Sequence, residues 1–84
     1  MQENKNKLLK TLAIAINKHR GEKSISKLCN EIDLSKSIWS ELEKGKKDIQ
    51  FTTFYRIAEA LDIKPSFLLS EIEQAIGADF SFFN

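Results

Sequence analysis

The chain of 84 residues has little of what several protein classes require, since it contains only one cysteine and one histidine. A single cysteine cannot form an intramolecular disulfide, which excludes a disulfide-stabilised secreted scaffold. One cysteine and one histidine also cannot provide the ligands of a conventional zinc site. We therefore expect no bound metal, and no other motif points to a cofactor. No apolar run approaches the ~20 residues of a membrane-spanning helix, so we expect no membrane partner.

The N-terminal segment resembles a signal peptide only superficially. Lysines within residues 5–10 precede an apolar run at residues 12–16, which is the order of the charged and apolar regions of such a peptide. The residues that follow are Asn17, Lys18, His19 and Arg20. A cleavage site would need small residues there, so we expect a soluble cytoplasmic protein.

The chain also has almost no net charge, because 13 Lys and Arg residues oppose 12 Asp and Glu residues. Taken alone, a formal charge of +1 argues against nucleic-acid binding. The charge is distributed unevenly, however: residues 1–20 carry +4, residues 21–50 are neutral and residues 51–84 carry −3. We therefore expect an acidic partner to meet the N-terminal part, with the acidic C-terminal part facing away.

Apolar residues recur at helical spacing almost throughout, and strand-like alternation and internal repeats are absent. Ser24 and Ser35 suit the N-cap position, Pro65 suits a first helical turn, and Gly45 and Gly77 suit helix ends. We expect an all-α fold of short helices over about residues 4–19, 24–31, 36–44, 51–61 and 65–76. The inner face of the fourth helix is expected to contain Phe51, Phe54, Ile57, Ala58 and Leu61.

Residues 24–45 combine two of these helices with a short turn, which is the arrangement of a helix-turn-helix. The residues expected to face inward are Leu28, Cys29, Ile32, Trp39 and Leu42. Cys29 fits the close approach between the helices, so we interpret it as a core residue and not as a nucleophile. Asp33 lies in the turn, where we expect a positive φ.

This segment resembles the Cro and lambda-repressor-like (XRE-type) helix-turn-helix family, and the resemblance covers about residues 8–72. Its most specific part is the run Ile38-Trp39-Ser40-Glu41-Leu42-Glu43-Lys44-Gly45, followed after a loop by Ile57-Ala58-x-x-Leu61. Asp33 stands where the family usually has glycine, and Trp39 replaces a smaller aliphatic residue. In length and in its fifth helix the chain also resembles small controller proteins of restriction-modification systems.

The resemblance implies a compact five-helix, lambda-repressor-like DNA-binding domain over residues 1–77, with the helix-turn-helix at residues 24–45. An aromatic C-terminal tail follows at residues 78–84. The implied function is that of a sequence-specific transcriptional regulator, a repressor or autoregulator, and not an enzyme. Such a protein binds a pseudo-palindromic operator in double-stranded DNA as a homodimer, in a cytoplasm of bacterial or phage type.

By this resemblance the start of the third helix enters the major groove. The residues implied to read bases are Lys36, Ser37, Ser40 and Glu41. The residues implied to contact the DNA backbone are Ser24, Lys27, Ser35, Lys44, Lys46 and Lys47. Glu41 and Glu43 lie on a small helix without a cleft, so their carboxylates do not indicate acid–base catalysis. We expect Glu43 to bond locally and hold the end of the third helix.

The C-terminal part contains more apolar residues than one helix face can bury in so small a domain. We interpret this surplus as a dimer interface formed by Phe67, Leu69, Ile72, Ile76, Phe80, Phe82 and Phe83. The alternative is that the phenylalanines of the tail fold back on the first helix. The alternative function is a protein-interaction module, such as an antitoxin or adaptor, that uses the same fold.

Overall fold

The computed structural model describes residues 2–83, and within them it contains helices and no strand. The helices are α1 (Gln2–Arg20), α2 (Ile25–Ile32), α3 (Lys36–Glu43), α4 (Phe51–Ala60) and α5 (Pro65–Ile76). The predicted all-α fold is confirmed, and the helices begin and end within two residues of the predicted positions. Residues 1 and 84, the outer ends of the predicted domain and tail, lie outside the described residues.

Side-chain caps begin both helices of the predicted helix-turn-helix. The Ser24 hydroxyl accepts the backbone N–H of Lys27 at 3.4 Å, and the Ser35 hydroxyl accepts that of Ile38 at 3.1 Å. These bonds satisfy N–H groups that have no partner within the helix. Asp33 ends α2 in the left-handed region with a φ of 56°, as predicted for the turn. Local chemistry therefore sets the start and end of the turn between α2 and α3.

All five helices contribute to one core. Helix α1 packs on α3 and α5, α2 packs on α3 and α4, and α4 packs on α5. The largest side chains that are fully buried are Trp39, Ile16, Leu28, Leu42, Ile57 and Leu68. Cys29 is 4% exposed, and its burial raises the pKa of the thiol, so it behaves as a small core residue. None of the helices within residues 2–83 is long and apolar enough to cross a membrane.

Phe51 was predicted on the inner face of α4, and the prediction is wrong because its side chain is 76% exposed. Phe51 is the first residue of α4, and successive residues rotate by about 100° around a helix. It therefore lies at one edge of the apolar stripe, where its ring borders an open groove that is also lined by residues of α1 and α5. The remaining members of the predicted stripe are buried or half-buried.

Gly45 allows the end of α3 to approach α1 closely. It has a φ of +74°, and a Cβ atom there would lie 3.0 Å from the Lys10 Cα. We expect Gly45→Ala to lower the free energy of unfolding by about 2–4 kcal/mol, from left-handed strain and steric overlap together. Gly21→Ala is the matched control, because Gly21 has a φ of +53° and nothing within 4 Å of its Cβ position.

Urea denaturation of the two variants measures this difference. Gly21→Ala has only the left-handed strain, so it should cost about 1–2 kcal/mol. Equal losses in the two variants would contradict a close approach between α1 and the end of α3.

Candidate nucleic-acid interface

Helix α3 presents one polar face to solvent and buries the other. Lys36, Ser37, Ser40 and Glu41, the residues predicted to read bases, are all exposed. Trp39 and Leu42 on the opposite side are 0% and 1% exposed. Because the exposed residues recur at a spacing of four, they form one continuous strip along the helix. An α-helix with its side chains is about 10–12 Å in diameter, so a helix exposed in this way fits the DNA major groove, which is about 12 Å wide.

The residues predicted to contact the DNA backbone are all exposed. Ser24 and Ser35 are the N-caps of α2 and α3, and their hydroxyl groups accept backbone N–H bonds while keeping a proton to donate. Lys27 lies in the first turns of α2, and Lys44, Lys46 and Lys47 lie in and beside the loop after α3. Lys44, Lys46 and Lys47 therefore follow the C-terminal end of the strip, and Lys27 lies on the preceding helix.

An ion pair from α1 holds the C-terminal end of α3. Arg20 donates to both carboxylate oxygens of Glu43, through Nε at 2.5 Å and an Nη atom at 3.3 Å. The two side chains are only 21% and 16% exposed. The indole N–H of Trp39 donates to the same carboxylate at 2.6 Å. The local bond predicted for Glu43 is thus present, but its cationic partner comes from α1, 23 positions earlier in the sequence.

Two further side chains tie the helix-turn-helix to its neighbours. The Asn17 amide of α1 donates to the Glu43 carbonyl at 3.4 Å, at the end of α3. The Arg56 guanidinium of α4 donates to the Ile32 carbonyl at 2.8 Å, at the end of α2. Sequence reasoning missed Arg20, Asn17 and Arg56, because each acts across the fold on a backbone or side chain more than 20 positions away. The only signal in the sequence for Arg20 is its place among the cationic residues in the last turn of α1.

Ion pairs also change the distribution of charge that the sequence suggests. In the basic N-terminal part, Lys5 lies 3.7 Å from Asp48, Lys18 lies 3.6 Å from Glu71, and Arg20 binds Glu43. Three of the five cationic residues of this segment are thus paired with carboxylates elsewhere in the chain, and its contact with an acidic partner stays a prediction.

The helix-turn-helix, in contrast, is more positive than its formal charge. Its Glu31 lies 3.5 Å from Lys23, and its Glu43 binds Arg20, so cations from outside residues 24–47 neutralise two of its carboxylates. Among residues 2–83, the ion pairs do not involve the five lysines of the helix-turn-helix and of the loop that follows it, which are Lys27, Lys36, Lys44, Lys46 and Lys47. These lysines therefore make the surface around α3 positive, which favours a polyanion.

Glu71 joins the C-terminal end of α1 to α5. His19 Nε2 donates to a carboxylate oxygen of Glu71 at 2.9 Å, and this hydrogen bond lowers the pKa of the Glu71 carboxyl below its usual value. The nearby Lys18 ammonium acts in the same direction. His19, in the last turn of α1, thus has a specific acidic partner on α5. Among residues 2–83, no group of three or more His, Cys, Asp or Glu residues could hold a metal ion.

The residues predicted to form a dimer interface do not share one surface. Ile72 was expected there, but it is 3% exposed and belongs to the core, because it follows Leu68 by one helical turn. Phe67 and Leu69 are 62% and 49% exposed, yet two positions along a helix place them about 200° apart. They therefore face opposite sides of α5 and cannot both meet the same partner surface.

The tail lies against the start of α1. The Asn4 amide donates to the Ser81 carbonyl at 2.9 Å. The Phe80 and Phe82 rings contact each other edge to face, with centroids 5.6 Å apart. Ile76, Phe80 and Phe82 are half-buried, whereas Phe83 is 90% exposed. This arrangement corresponds to the folded-back alternative for most of the tail.

Comparison with known proteins agrees with this geometry. The sequence model described as a Cro/C1-type HTH DNA-binding domain matches residues 14–73. Two crystal structures of the clp gene regulator ClgR from Corynebacterium glutamicum have a similar fold. The first has a TM-score of 0.75 and 24% identity, covering 82% of this chain and 76% of that chain. The second has a TM-score of 0.74 and 23% identity, covering 86% and 96%.

No curated protein matches the chain. The family match covers most of the sequence and includes all of the helix-turn-helix, so the resemblance inferred from residues 24–45 is confirmed. The chain belongs to the family of Cro/C1-type helix-turn-helix DNA-binding domains.

Proposed function

We propose that the chain is a transcriptional regulator that binds duplex DNA sequence-specifically, as a homodimer, with α3 in the major groove. One observation carries the proposal: α3 exposes four polar side chains on one side, while Trp39, Leu42 and Glu43 fix its other side to the core. A rigid helix with an exposed polar strip can present its side chains to base edges in one register. Membership of a DNA-binding family supports the same conclusion.

Each exposed residue of α3 has a chemistry suited to a base edge. Lys36 can donate to O6 or N7 of guanine, and Ser37 and Ser40 can donate or accept. Glu41 can accept from N4 of cytosine, and it repels phosphate. Glu41 therefore penalises positions of the helix in which its carboxylate would meet the backbone, which adds discrimination without adding affinity.

Affinity in this proposal comes from the residues around the strip. Lys27, Lys44, Lys46 and Lys47 neutralise phosphates, which supplies binding energy without sequence information. The N-termini of α2 and α3, capped by Ser24 and Ser35, offer further backbone N–H groups and hydroxyls to phosphate oxygens. Because the positive surface is small, we expect weak binding to random DNA and a strong dependence on the specific contacts.

The proposed homodimer follows from how little DNA one domain can read. A single α3 offers four base-reading side chains, whereas a two-fold pair reads two half-sites about 34 Å apart on a pseudo-palindromic operator. A repressor or autoregulator acts by occupying such a site. ClgR, which shares the fold, is named as a gene regulator. A regulatory role suits this chain because its α3 exposes a polar strip that can meet base edges.

A protein-interaction module of the same fold, such as an antitoxin or adaptor, is the second candidate. The observation that favours it is the exposure of large apolar side chains away from α3, among them Phe67 and Phe83. Selection from a pool of random duplexes separates the two candidates. Enrichment of a two-fold-symmetric site supports the regulator, and the absence of any enriched sequence would contradict it.

The dependence of binding on salt tests the predicted backbone contacts. We expect Lys46→Ala and Lys47→Ala each to reduce the slope of log K against log salt by about 1, because each removes one neutralised phosphate. Lys7→Ala is the matched control, since Lys7 lies on α1 beside residues 76–81, where α5 ends and the tail begins. Filter binding at a series of salt concentrations measures the slopes. Equal slopes for all three variants and the unmodified chain would refute the contacts.

A further inference from the structure

Lys10 of α1 lies beside the C-terminal end of α3, although it is outside the helix-turn-helix. Its backbone packs against Gly45, since a Cβ atom at Gly45 would lie 3.0 Å from the Lys10 Cα. Lys10 is exposed, and it lines an open cleft of about 210 Å³ together with Asn17 of α1 and Lys44 at the end of α3. The fold therefore brings a lysine of the N-terminal part beside the lysines that follow α3.

The cleft is positively charged, because the carboxylate in its wall is already neutralised. That carboxylate belongs to Glu43, which binds Arg20. Within residues 2–83, neither Lys10 nor Lys44 is in an ion pair. Two ammonium groups at one cleft repel each other, so the arrangement favours an anionic group that binds between them.

The cleft is continuous with the exposed strip of α3. Asn17 and Lys44 also line a second concave region, of about 330 Å³, which includes Lys36 of the strip. Lys36, Ser40 and Lys44 recur at a spacing of four, so they form one row along the helix that leads to the cleft. A duplex that receives the strip in its major groove therefore extends beside the cleft.

The anionic group that Lys10 is placed to meet is a backbone phosphate of that duplex. A helix of about 10–12 Å in diameter fills a groove that is about 12 Å wide, so the sugar-phosphate strands lie at the flanks of the helix. Lys10 belongs to α1, which packs at the flank of α3, and not to the strip itself. A lysine ammonium binds phosphate as a point charge and adds affinity without base preference.

Asn17 holds the two sides of the cleft together. Its amide nitrogen donates to the Ala13 carbonyl at 3.1 Å within α1 and to the Glu43 carbonyl at 3.4 Å at the end of α3. Both hydrogens of the amide are thus used inside the protein. Asn17 therefore positions the cleft, and the lysines provide the donors for a phosphate.

We infer that Lys10 and Lys44 form a phosphate clamp, in which Lys10 contacts the DNA backbone from outside the helix-turn-helix. The inference rests on the proposed binding of duplex DNA and adds a contact from α1 to it. It also gives the basic N-terminal part a specific role. Three of its cations are paired with carboxylates of the protein, while Lys10 meets the DNA.

The dependence of DNA binding on salt tests the clamp. We expect Lys10→Ala to reduce the slope of log K against log salt by about 1 for each bound chain, because one neutralised phosphate is lost. The affinity advantage of the unmodified chain over the variant should therefore shrink about fourfold per bound chain between about 50 and about 200 mM salt. Filter binding to the selected duplex and to random duplexes measures both quantities.

Lys7→Ala is the matched control for this experiment. Lys7 is exposed on the same helix, is in no ion pair within residues 2–83, and lies beside residues 76–81 at the other side of the domain from the strip. We expect its replacement to leave the slope unchanged.

Two further variants separate the charge of Lys10 from its packing. Lys10→Gln keeps the side-chain stem that lies near Gly45 and should lose the same slope as Lys10→Ala. Lys10→Arg keeps the charge and should retain the slope of the unmodified chain. Because Lys10 is exposed, we expect similar melting temperatures for all of these variants. A loss of slope in Lys10→Arg equal to that in Lys10→Ala would contradict a charge-based contact.

Neutral methylphosphonate groups identify the phosphate in the clamp. Each phosphate of the selected duplex is replaced in turn, and binding of the unmodified chain is compared with that of Lys10→Ala. We expect one position in each half-site at which the replacement weakens the unmodified chain but has no further effect on Lys10→Ala. The absence of such a position would refute a direct contact between Lys10 and the backbone.

The clamp and the proposed function can fail separately. A chain that selects a DNA sequence but has equal slopes for Lys10→Ala and Lys7→Ala keeps the function and refutes the clamp. A chain that selects no sequence but binds random duplexes with a slope that Lys10→Ala alone reduces keeps the clamp and refutes sequence-specific recognition. Binding that does not depend on salt, or no binding to any duplex, refutes both.

Discussion

Replacing Glu43 by alanine should destabilise the protein by about 3 kcal/mol, because the substitution removes one partner of a mostly buried ion pair. The Arg20 side chain is only 21% exposed, and its guanidinium would lose the carboxylate that it now binds through two nitrogens. The indole N–H of the fully buried Trp39 would lose its acceptor at the same time. Both donors would be left without their partner, which costs more than the loss of an exposed pair.

In a domain of this size, such a loss corresponds to a fall in melting temperature of about 12–24 °C. Trp39 is the single tryptophan, so its fluorescence reports unfolding and is also expected to change in the native state. Thermal and urea denaturation followed by this signal measure the effect.

Glu41→Ala is the matched control, since Glu41 lies on the same helix and is exposed. We expect its effect on stability to stay within about 0.5 kcal/mol. Glu43→Gln retains the shape and one acceptor oxygen, so its loss should be intermediate, at about 1–2 kcal/mol. If Glu43→Ala unfolds too easily to be measured, Glu43→Gln still tests the pair. Similar stabilities of Glu43→Gln and Glu41→Ala would contradict the role of Glu43.

The helices could be predicted because their ends are encoded locally. Ser24 and Ser35 cap the helices that they precede, Pro65 opens α5, and Gly77 follows its last residue. Each signal acts within a few positions of the helix end, so it can be recognised without knowledge of the fold. The same applies to the left-handed Asp33, which closes α2.

The contacts that hold α3 could not be predicted in this way. Arg20 and Glu43 are separated by 23 positions, and neither has a local pattern that identifies the other. The sum of charges in a segment was misleading for the same reason, because Lys18 and Arg20 are paired with carboxylates of other helices. The charge of a surface therefore depends on which charged residues the fold brings together. The net charge counted along a segment of sequence does not determine it.

The apolar surface shows a second limit of sequence reasoning. Periodicity identifies an apolar stripe but not how far neighbouring helices cover it, so Phe51 was expected inside and Ile72 outside. Leu69 follows Phe67 by two positions but faces the opposite side of α5. The exposed residues that remain on one face, Phe51 and Leu69, become recognisable only when α1, α4 and α5 are assembled.

The exposed strip of α3 should control DNA binding without affecting stability. Once a preferred site has been selected, we expect Lys36→Ala to weaken binding to it by roughly 30-fold to 10⁴-fold. A base contact is worth about 1–3 kcal/mol, and a homodimer loses two of them. Discrimination should relax at one position in each half-site. Lys46→Ala is the comparison, because the loss of a phosphate contact weakens binding to all sequences alike.

Glu41→Ala should change the affinities for random and selected DNA by different amounts. Removal of a carboxylate that repels phosphate is expected to strengthen binding to random duplexes, while binding to the selected site gains less or weakens as the contact to a cytosine is lost. The ratio of specific to non-specific affinity should therefore fall. Competition binding with selected and random duplexes measures this ratio. Since Glu41 is exposed, we expect an unchanged melting temperature, which would assign the lower affinity ratio to recognition and not to stability. An unchanged affinity ratio would exclude Glu41 from the base-reading surface.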